Sequence, residues 1–307
     1  MNHPVALALA LPLAWGLDAW FGEPPNRWHP VAWLGRVLGP WGRCASAWRP
    51  VAAFVGGALA WCAGVAALGA AAAWVEAVVL HALPWPAAAV LLALLLKPCF
   101  AWRMLRDEVG AVETALVQQG LPAARGRLAR LVSRDVQGLD EGAVRETAIE
   151  TLAENLSDSV VAPLAWFALL GLPGAVAYRF ANTADAMWGY RGRYEWAGKW
   201  AARADDLLSW APARLTAALL LPRRAAAWRA LPVEAARTPS PNGGWPMGAM
   251  ALRLGVGLGK PGVYRLNPAA PAPGAADLRR ALRGAGTAAW AAAGLATLAV
   301  ALRSAPW

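Results

Sequence analysis

Four carboxylates, Glu146, Glu150, Glu154 and Asp158, recur at intervals of four residues. Val144, Ala148, Leu152 and Leu156 recur at the same interval, so Asp140 to Ser159 is predicted to form a helix with one apolar and one acidic face. Like charges one turn apart destabilise a helix by about 0.2–0.5 kcal/mol per pair. The nearest base, Arg145, is spaced to meet Glu141 and leaves the stripe unrelieved. Either the stripe is a solvated acidic face, or its carboxylates serve a ligand. At about 1.5 Å of rise per residue it spans about 18 Å, too long for one ion. Glu154 and Asp158, beside an apolar run, are the better pair for a hydrated Mg²⁺, with Glu150 and Asn155 completing the candidate metal group. Mg²⁺ commonly takes one or two carboxylates together with substrate phosphates.

A second polar block runs from Arg179 to Asp206. Asn182 and Asp185 stand one helical turn apart; Tyr190, Arg191 and Arg193 follow Gly189; Arg203 precedes Asp205 and Asp206. Carboxylates mixed with arginines suit metal-bridged phosphates, because a guanidinium fork holds two phosphate oxygens at once. The same composition also suits ordinary ion pairs between loops at a membrane surface. Two turn-like blocks complete the candidates: Gly22 to Pro30, which carries His29, and Ser240-Pro-Asn-Gly-Gly-Trp245-Pro246. Their prolines and glycines fix loops, and Gly243-Gly244 lets a ligand approach the backbone closely. The three cysteines and three histidines show no metal-ligand spacing, and no GxxxxGK[ST] loop is present.

The apolar runs set what must position these groups. Of 307 residues, 58% are hydrophobic and only 16% charged, against about 25% charged in an average soluble domain. Pro50 to Val75 and Ala77 to Leu96 carry no charge, and each matches the roughly 20 residues of a spanning helix. They read as a hairpin turning around Glu76, His81, Pro84 and Pro86. Met1 to Leu17 has no basic residue, and Asp18 stands where a cleavage site would need small ones, so it reads as a retained anchor. Apolar segments near 1–20, 51–75, 77–96, 159–178, 207–221 and 284–302 alternate with polar segments 97–158, 179–206 and 222–283. The expected fold is all-α: a polytopic integral membrane protein with about four to six membrane-associated helices, forming a single membrane-embedded domain over 1–307.

Orientation follows from the basic residues. Arg27, Arg36, Arg43 and Arg49 follow the first apolar segment, while the turn near Glu76 has none. The positive-inside rule puts that turn outside and residues 21–49, 97–158 and 222–283 in the cytoplasm. Residues 179–206 are basic too, and they stay inside if 159–178 and 207–221 are re-entrant or interfacial, broken at Pro163, Pro173 and Pro212; simple alternation would place them outside. The net charge of +10 then reports topology and contact with anionic membrane lipid, not nucleic acid. Many of the 19 tryptophans flank apolar runs, as interfacial anchors do. Transporters usually place ionisable residues within their spans, and the long runs here have none. Residue chemistry therefore points to a membrane-bound enzyme acting on an anionic, phosphorylated substrate.

Five blocks then carry a resemblance. They are His29-Pro30-Val31 with Gly35-Arg36; Glu150-Thr-Leu-Ala-Glu154-Asn155-Leu-Ser-Asp158 with Ala162-Pro163-Leu164; Asn182-Thr183-Ala-Asp185-Ala-Met187-Trp-Gly189-Tyr190-Arg191; Ala202-Arg203-Ala-Asp205-Asp206 with Pro212-Ala213-Arg214-Leu215; and Ser240 to Pro246. In this order, from about residue 18 to about 265, the chain resembles the adenosylcobinamide-phosphate synthase family of cobalamin biosynthesis, the CobD/CbiB integral membrane family. Glu23, where that family usually has Asp before Pro, and Ser209, where Asn is common, are mild departures.

The resemblance implies an ATP-dependent amide ligation at the bacterial inner membrane, with the active site facing the cytoplasm. Adenosylcobyric acid would supply a propionate and (R)-1-aminopropan-2-ol, as its O-phosphate, the amine. The corrinoid is then a substrate and not a cofactor, and other enzymes of the pathway are possible partners. On this reading Mg²⁺ sits on Glu154, Asp158 and Asp185. Arg191, Arg193 and Arg203 hold phosphates, and Asp205 or Asp206 accepts the amine proton. Arg214, His29, Arg36, Tyr190, Ser240, Asn242 and Trp245 contribute to substrate binding. Trp188, Trp196, Trp200 and Trp245 are either corrin platforms or bilayer anchors. Two rivals predict other behaviour. A corrinoid permease would take up cobinamide without ATP, and an inner-membrane signalling protein would show no turnover.

Overall fold

The computed structural model describes residues 3–190, 192–221 and 224–303; Arg191, a candidate phosphate ligand, lies outside them. In chain order its elements are α1 (His3–Phe21), α2 (Pro30–Ala45), α3 (Pro50–Ala82), α4 (Trp85–Leu96), α5 (Trp102–Gln119), α6 (Leu121–Leu128) and α7 (Glu141–Leu156). Then come α8 (Ala162–Leu170), α9 (Leu172–Trp188), α10 (Lys199–Leu208), α11 (Trp210–Leu220), α12 (Ala225–Ala235) and α13 (Gly244–Leu254). A two-stranded hairpin, β1 (Leu258–Lys260) and β2 (Tyr264–Leu266), precedes the long α14 (Ala275–Arg303). The protein is thus an all-α membrane protein. Four segments, His3–Phe21, Pro50–Ala82, Trp85–Gln119 and Ala275–Arg303, are long and apolar enough to cross a bilayer.

The hairpin of apolar helices is present, and its turn falls at the Pro84 end of the expected stretch and not at Glu76. Residues 77–82 contain no helix breaker, so α3 continues to Ala82, and the chain turns at Leu83-Pro84, where proline ends the ladder. The apolar stretch 159–178 is divided at Gly171, whose φ of 72° ends α8, and Pro173 then opens α9 in its first turn. At about 1.5 Å per residue, α8 and α11 fall well short of the roughly 30 Å hydrocarbon layer.

The domain expected over 1–307 divides into two compact units. One comprises Met1–Ala101, Ala162–Ser209 and Ala293–Trp307; the other Trp102–Val161 and Trp210–Ala292. In the first unit α9 is central, packing on α2, α3, α8 and α10, while α1 packs on α4. Its core includes Leu38, Phe180, Ala184, Trp188 and Ala201. Trp188 is buried and donates its Nε1–H to the Leu38 carbonyl at 2.9 Å, so it is a core residue and no corrin platform. The N-terminus of α9 is capped from another helix: Glu76 Oε2 of α3 accepts the Leu172 N–H at 2.6 Å. Gly171 has no side chain to do this itself. In the second unit α7 packs on α5, α13 and β1, and α13 on α11 and α12.

Candidate functional site

The acidic helix forms as its periodicity requires. Asp140 caps α7 by accepting the Ala143 N–H at 2.8 Å, and Val144, Ala148, Leu152 and Leu156 are fully buried. The stripe, however, is relieved by bases remote in sequence. Arg265 Nη1 donates to both Glu146 oxygens at 2.8 and 2.7 Å, and Arg134 Nη2 donates to Glu150 Oε2 at 3.1 Å. Arg145, beyond its contact with Glu141, forks onto Glu113 at 2.9 and 3.1 Å. The stripe expected to be unrelieved is thus neutralised at Glu146, which is 7% exposed and ion-paired and so is not part of a solvated face. Glu154 is the exposed member of the stripe.

Glu150, Glu154 and Asn155 line a cavity of about 370 Å³ in the second unit, with Arg134, Lys260, Tyr264, Thr151, Thr238 and Ser240. Burial pushes the Glu150 carboxyl up to about 7 against the pull of Arg134. Its Oε1 atom is buried without a hydrogen-bond partner in good geometry. Burial and the neighbouring Glu150 carboxylate also raise the Tyr264 hydroxyl. Asp158 does not line this cavity. It sits on a π-helical turn, Ser157–Val161, whose wider winding breaks the four-residue register of the stripe. Among the described residues no three Asp, Glu, His or Cys side chains form a metal cage. Two carboxylates, one of which carries the unpartnered oxygen, and an amide, beside two cations, fit a Mg²⁺ completed by water and phosphate oxygens.

The loop from Ser240 to Trp245 closes one side of the cavity. Ser240 Oγ accepts the N–H groups of Asn242 and Gly243 at 3.2 and 3.0 Å. A Cβ on Gly243 would lie 3.2 Å from Glu154 Oε1, so glycine allows the loop to pass close to that carboxylate. Arg214 holds the loop from outside the cavity. Its Nη1 donates to Asn242 Oδ1 at 2.9 Å and to the Trp210 carbonyl at 2.8 Å. Its guanidinium carbon lies 4.4 and 4.6 Å from the ring centroids of Trp210 and Trp245. Arg214, Asn242 and Trp245, expected among substrate-binding residues, are thus engaged with one another, and of this loop Ser240 reaches the cavity.

The first unit gathers the other carboxylates. Asn182 and Asp185 come from α9, and Arg203, Asp205 and Asp206 from α10, which packs on it. Burial, and then the charge of Asp206, raises Asp185 to about 6. Burial and then the Asp185 charge raise Asp205 to about 7. Burial also raises Asp206, against the opposing charge of Arg203. Ser209 Oγ donates to Asp205 Oδ2 at 3.4 Å and is itself 3.0 Å from the Tyr178 hydroxyl. Three carboxyls with raised affinity for protons suit proton transfer better than phosphate binding.

None of the remaining candidates lines the Glu150–Glu154 cavity. His29 caps α2 by accepting the Val31 N–H at Nδ1, 3.2 Å away, which leaves Nε2–H to donate to Glu23 Oε2 at 2.8 Å. Burial would raise the Glu23 carboxyl, but the His29 hydrogen bond and the Lys97 charge outweigh it and hold it below the usual range. Lys97 also pairs with Asp18 at 3.1 Å. His29 therefore belongs to a buried network and does not present a ring nitrogen to a ligand. Arg36, Arg193 and Arg203 are exposed, and Tyr190 is half exposed. Trp196 lies under Lys199, and Trp200 packs edge-on against Trp61.

Fold and site together define an α-helical polytopic membrane protein with buried, proton-retaining carboxyls and a mixed-charge cavity outside its long apolar helices. The chain belongs to the CobD/Cbib protein family, whose model matches residues 11–293. It is 42% identical over 286 residues to the cobalamin biosynthesis protein CobD of Chromobacterium violaceum, covering 90% of this chain and 91% of that protein. It is 43% identical over 210 residues to the protein of the same name from Rhodobacter capsulatus, 64% of this chain and 67% of that one. The probable cobalamin biosynthesis protein CobD of Thermococcus kodakarensis is 46% identical over 203 residues, 65% of this chain and 66% of its own. No solved structure matches the chain.

Proposed function

We propose that this protein acts in cobalamin biosynthesis as an ATP-dependent ligase. It would join the free propionate of adenosylcobyric acid to (R)-1-aminopropan-2-ol O-phosphate and give adenosylcobinamide phosphate at the bacterial inner membrane, facing the cytoplasm. The observation that carries this reading is the cavity that sets Glu150 and Glu154 beside Arg134 and Lys260. Anionic and cationic side chains around one space suit a polyphosphate and its counter-ion.

A carboxylate is a poor electrophile until one oxygen becomes a leaving group. The propionate oxygen attacks the γ-phosphorus of ATP, ADP departs, and an acyl phosphate forms. The amine then attacks the acyl carbon, inorganic phosphate leaves, and the amine nitrogen loses a proton. Mg²⁺ held by Glu154, Glu150 and Asn155 would neutralise charge on the phosphates. Arg134 and Lys260 supply guanidinium and ammonium donors to phosphate oxygens, a task the sequence assigned to Arg191, Arg193 and Arg203.

Mass spectrometry of corrinoids tests this reading. Membranes containing the protein are incubated with adenosylcobyric acid, ATP, Mg²⁺ and either the amine or its O-phosphate. Adenosylcobinamide phosphate formed only with the protein and ATP is expected. ATP-independent uptake of cobinamide into vesicles without product would refute the ligase and support a permease.

A further inference from the structure

A second cavity, of about 650 Å³, lies between α5, the charged C-terminal part of the segment Trp85–Gln119, and the charged N-terminal part of α14, both segments being long and apolar enough to span. Its walls come from α5, α6 and α14 and include Ala111, Val117, Leu278 and Leu282, with Arg106, Arg127 and Arg279 at the polar side. The two acidic groups of the groove are already engaged: Asp107 pairs with Arg106 at 2.8 Å and Glu113 with Arg145 at 2.9 Å. Among the described residues Arg127 and Arg279 take part in no ion pair, and both are exposed. The groove therefore offers two uncompensated guanidinium groups above an apolar floor.

Its place along α14 says what fits. The helix is basic as far as Arg283 and carries no charge from Gly284 to Leu302, so Arg279 stands one turn before the apolar stretch begins. Trp290, eleven residues on, returns to the same face after about three turns and is 61% exposed. A basic pocket at the end of a spanning helix, continued by an apolar face with an exposed tryptophan, matches an amphiphile with an anionic head. We propose that this groove is a binding site for an anionic phospholipid. Its phosphate would lie between Arg127 and Arg279, with the start of an acyl chain over the exposed Val117 and over Leu282. Nothing in this assignment depends on the ligase reading.

The test follows thermal unfolding of the full chain in detergent during titration with phosphatidylglycerol, phosphatidylcholine of the same acyl chains, or glycerol 3-phosphate. Saturable stabilisation by phosphatidylglycerol alone is expected. Arg127→Gln with Arg279→Gln should weaken it about thirtyfold, from roughly fivefold per arginine near an anionic lipid surface. Arg229→Gln, an exposed arginine of α12 outside the groove, should leave it unchanged. Gly110→Leu keeps both arginines but fills the groove, where a Cβ would already lie 3.8 Å from Leu282, and it should also abolish saturation. It serves in place of the double variant if that does not fold. An equal response to phosphatidylcholine overturns the proposal, as does equal stabilisation by glycerol 3-phosphate, which would mean a free-phosphate site. Unchanged titration of the groove variants overturns it as well.

Discussion

Glu146 and Glu154 stand two turns apart on one helix, yet their replacement should fail in different assays. Glu146 has a side chain 9% exposed, and its two oxygens share the single Arg265 Nη1. That is one charge-assisted contact and not a two-bond fork. Such contacts are worth about 1.5–3 kcal/mol when desolvated and about 0.2–1 kcal/mol at the surface. Arg265 is 42% exposed, so Glu146→Gln should cost about 1 kcal/mol, because water can resolvate the guanidinium left behind. Arg265→Gln should cost more, about 3 kcal/mol, since it strands a buried carboxylate with no cation. Neither variant should lose turnover once allowance is made for folded protein. Glu154→Gln should behave in the opposite way. Its side chain faces the cavity, so stability should hold, while loss of one electrostatic group at a reacting phosphate costs about 10²–10³ in rate. The assays are the thermal midpoint of the purified protein and corrinoid turnover per folded molecule. Equal, mild rate losses at 146 and 154 with unchanged midpoints would refute both the pairing of Glu146 and the role of Glu154.

Glu150 keeps its proton in the folded state up to about pH 7, whereas the ordinary value is 4.5. The folded state thus binds more protons in that window, and this group's contribution is present at acidic pH and lost as pH rises towards 7. Glu150→Gln should therefore gain stability relative to the parent between pH 5 and pH 8 in unfolding midpoints; a constant difference would contradict the burial argument. If Asp205 accepts the amine proton, kcat/KM should climb with pH through about 7 and Asp205→Asn should remove activity at every pH. Glu76→Ala removes the cap of α9 and should cost about 1 kcal/mol, while Glu76→Gln, which keeps an acceptor for Leu172 N–H, should cost less, as read from midpoints. In a background lacking Cys44, Cys62 and Cys99, a cysteine near His81 should react with an impermeant thiol reagent applied outside intact cells. One near Arg127 should not, and the reverse would invert the orientation.

Local spacing revealed the helices and their faces, because α7 and the long apolar segments are specified by neighbours three and four residues away. The partners of α7 were hidden, because Arg134 and Arg265 reach it from other parts of the chain and no local rule links them. The same holds for Asp185 and Asp205, whose types were readable but whose proximity depends on α9 packing against α10. One local signal of the cavity is present in the sequence. Pro261-Gly262, with φ of 72° at the glycine and Val263 N–H bonded to the Lys260 carbonyl at 3.0 Å, is a type II turn. It folds back the short hairpin that delivers Lys260 and Tyr264 to the cavity. The π turn that removes Asp158 from the stripe has no such signature, since Ser157 to Val161 continues the helical pattern.

The two compact units interleave along the chain, and each is assembled from separated stretches. No single cut separates the two units: division after Val161, for one, leaves parts of both on each fragment. During synthesis, the second unit lacks α13 and α14 until most of the polypeptide has emerged, and the first unit waits longer still for Ala293 onward. Contacts that close so late carry a high loop-closure entropy, and exposed apolar helices must persist meanwhile. Biogenesis of this protein therefore favours insertion machinery that can hold early helices until the last one arrives. Co-expression of fragments split within a single unit should rescue folding less well than the full-length chain.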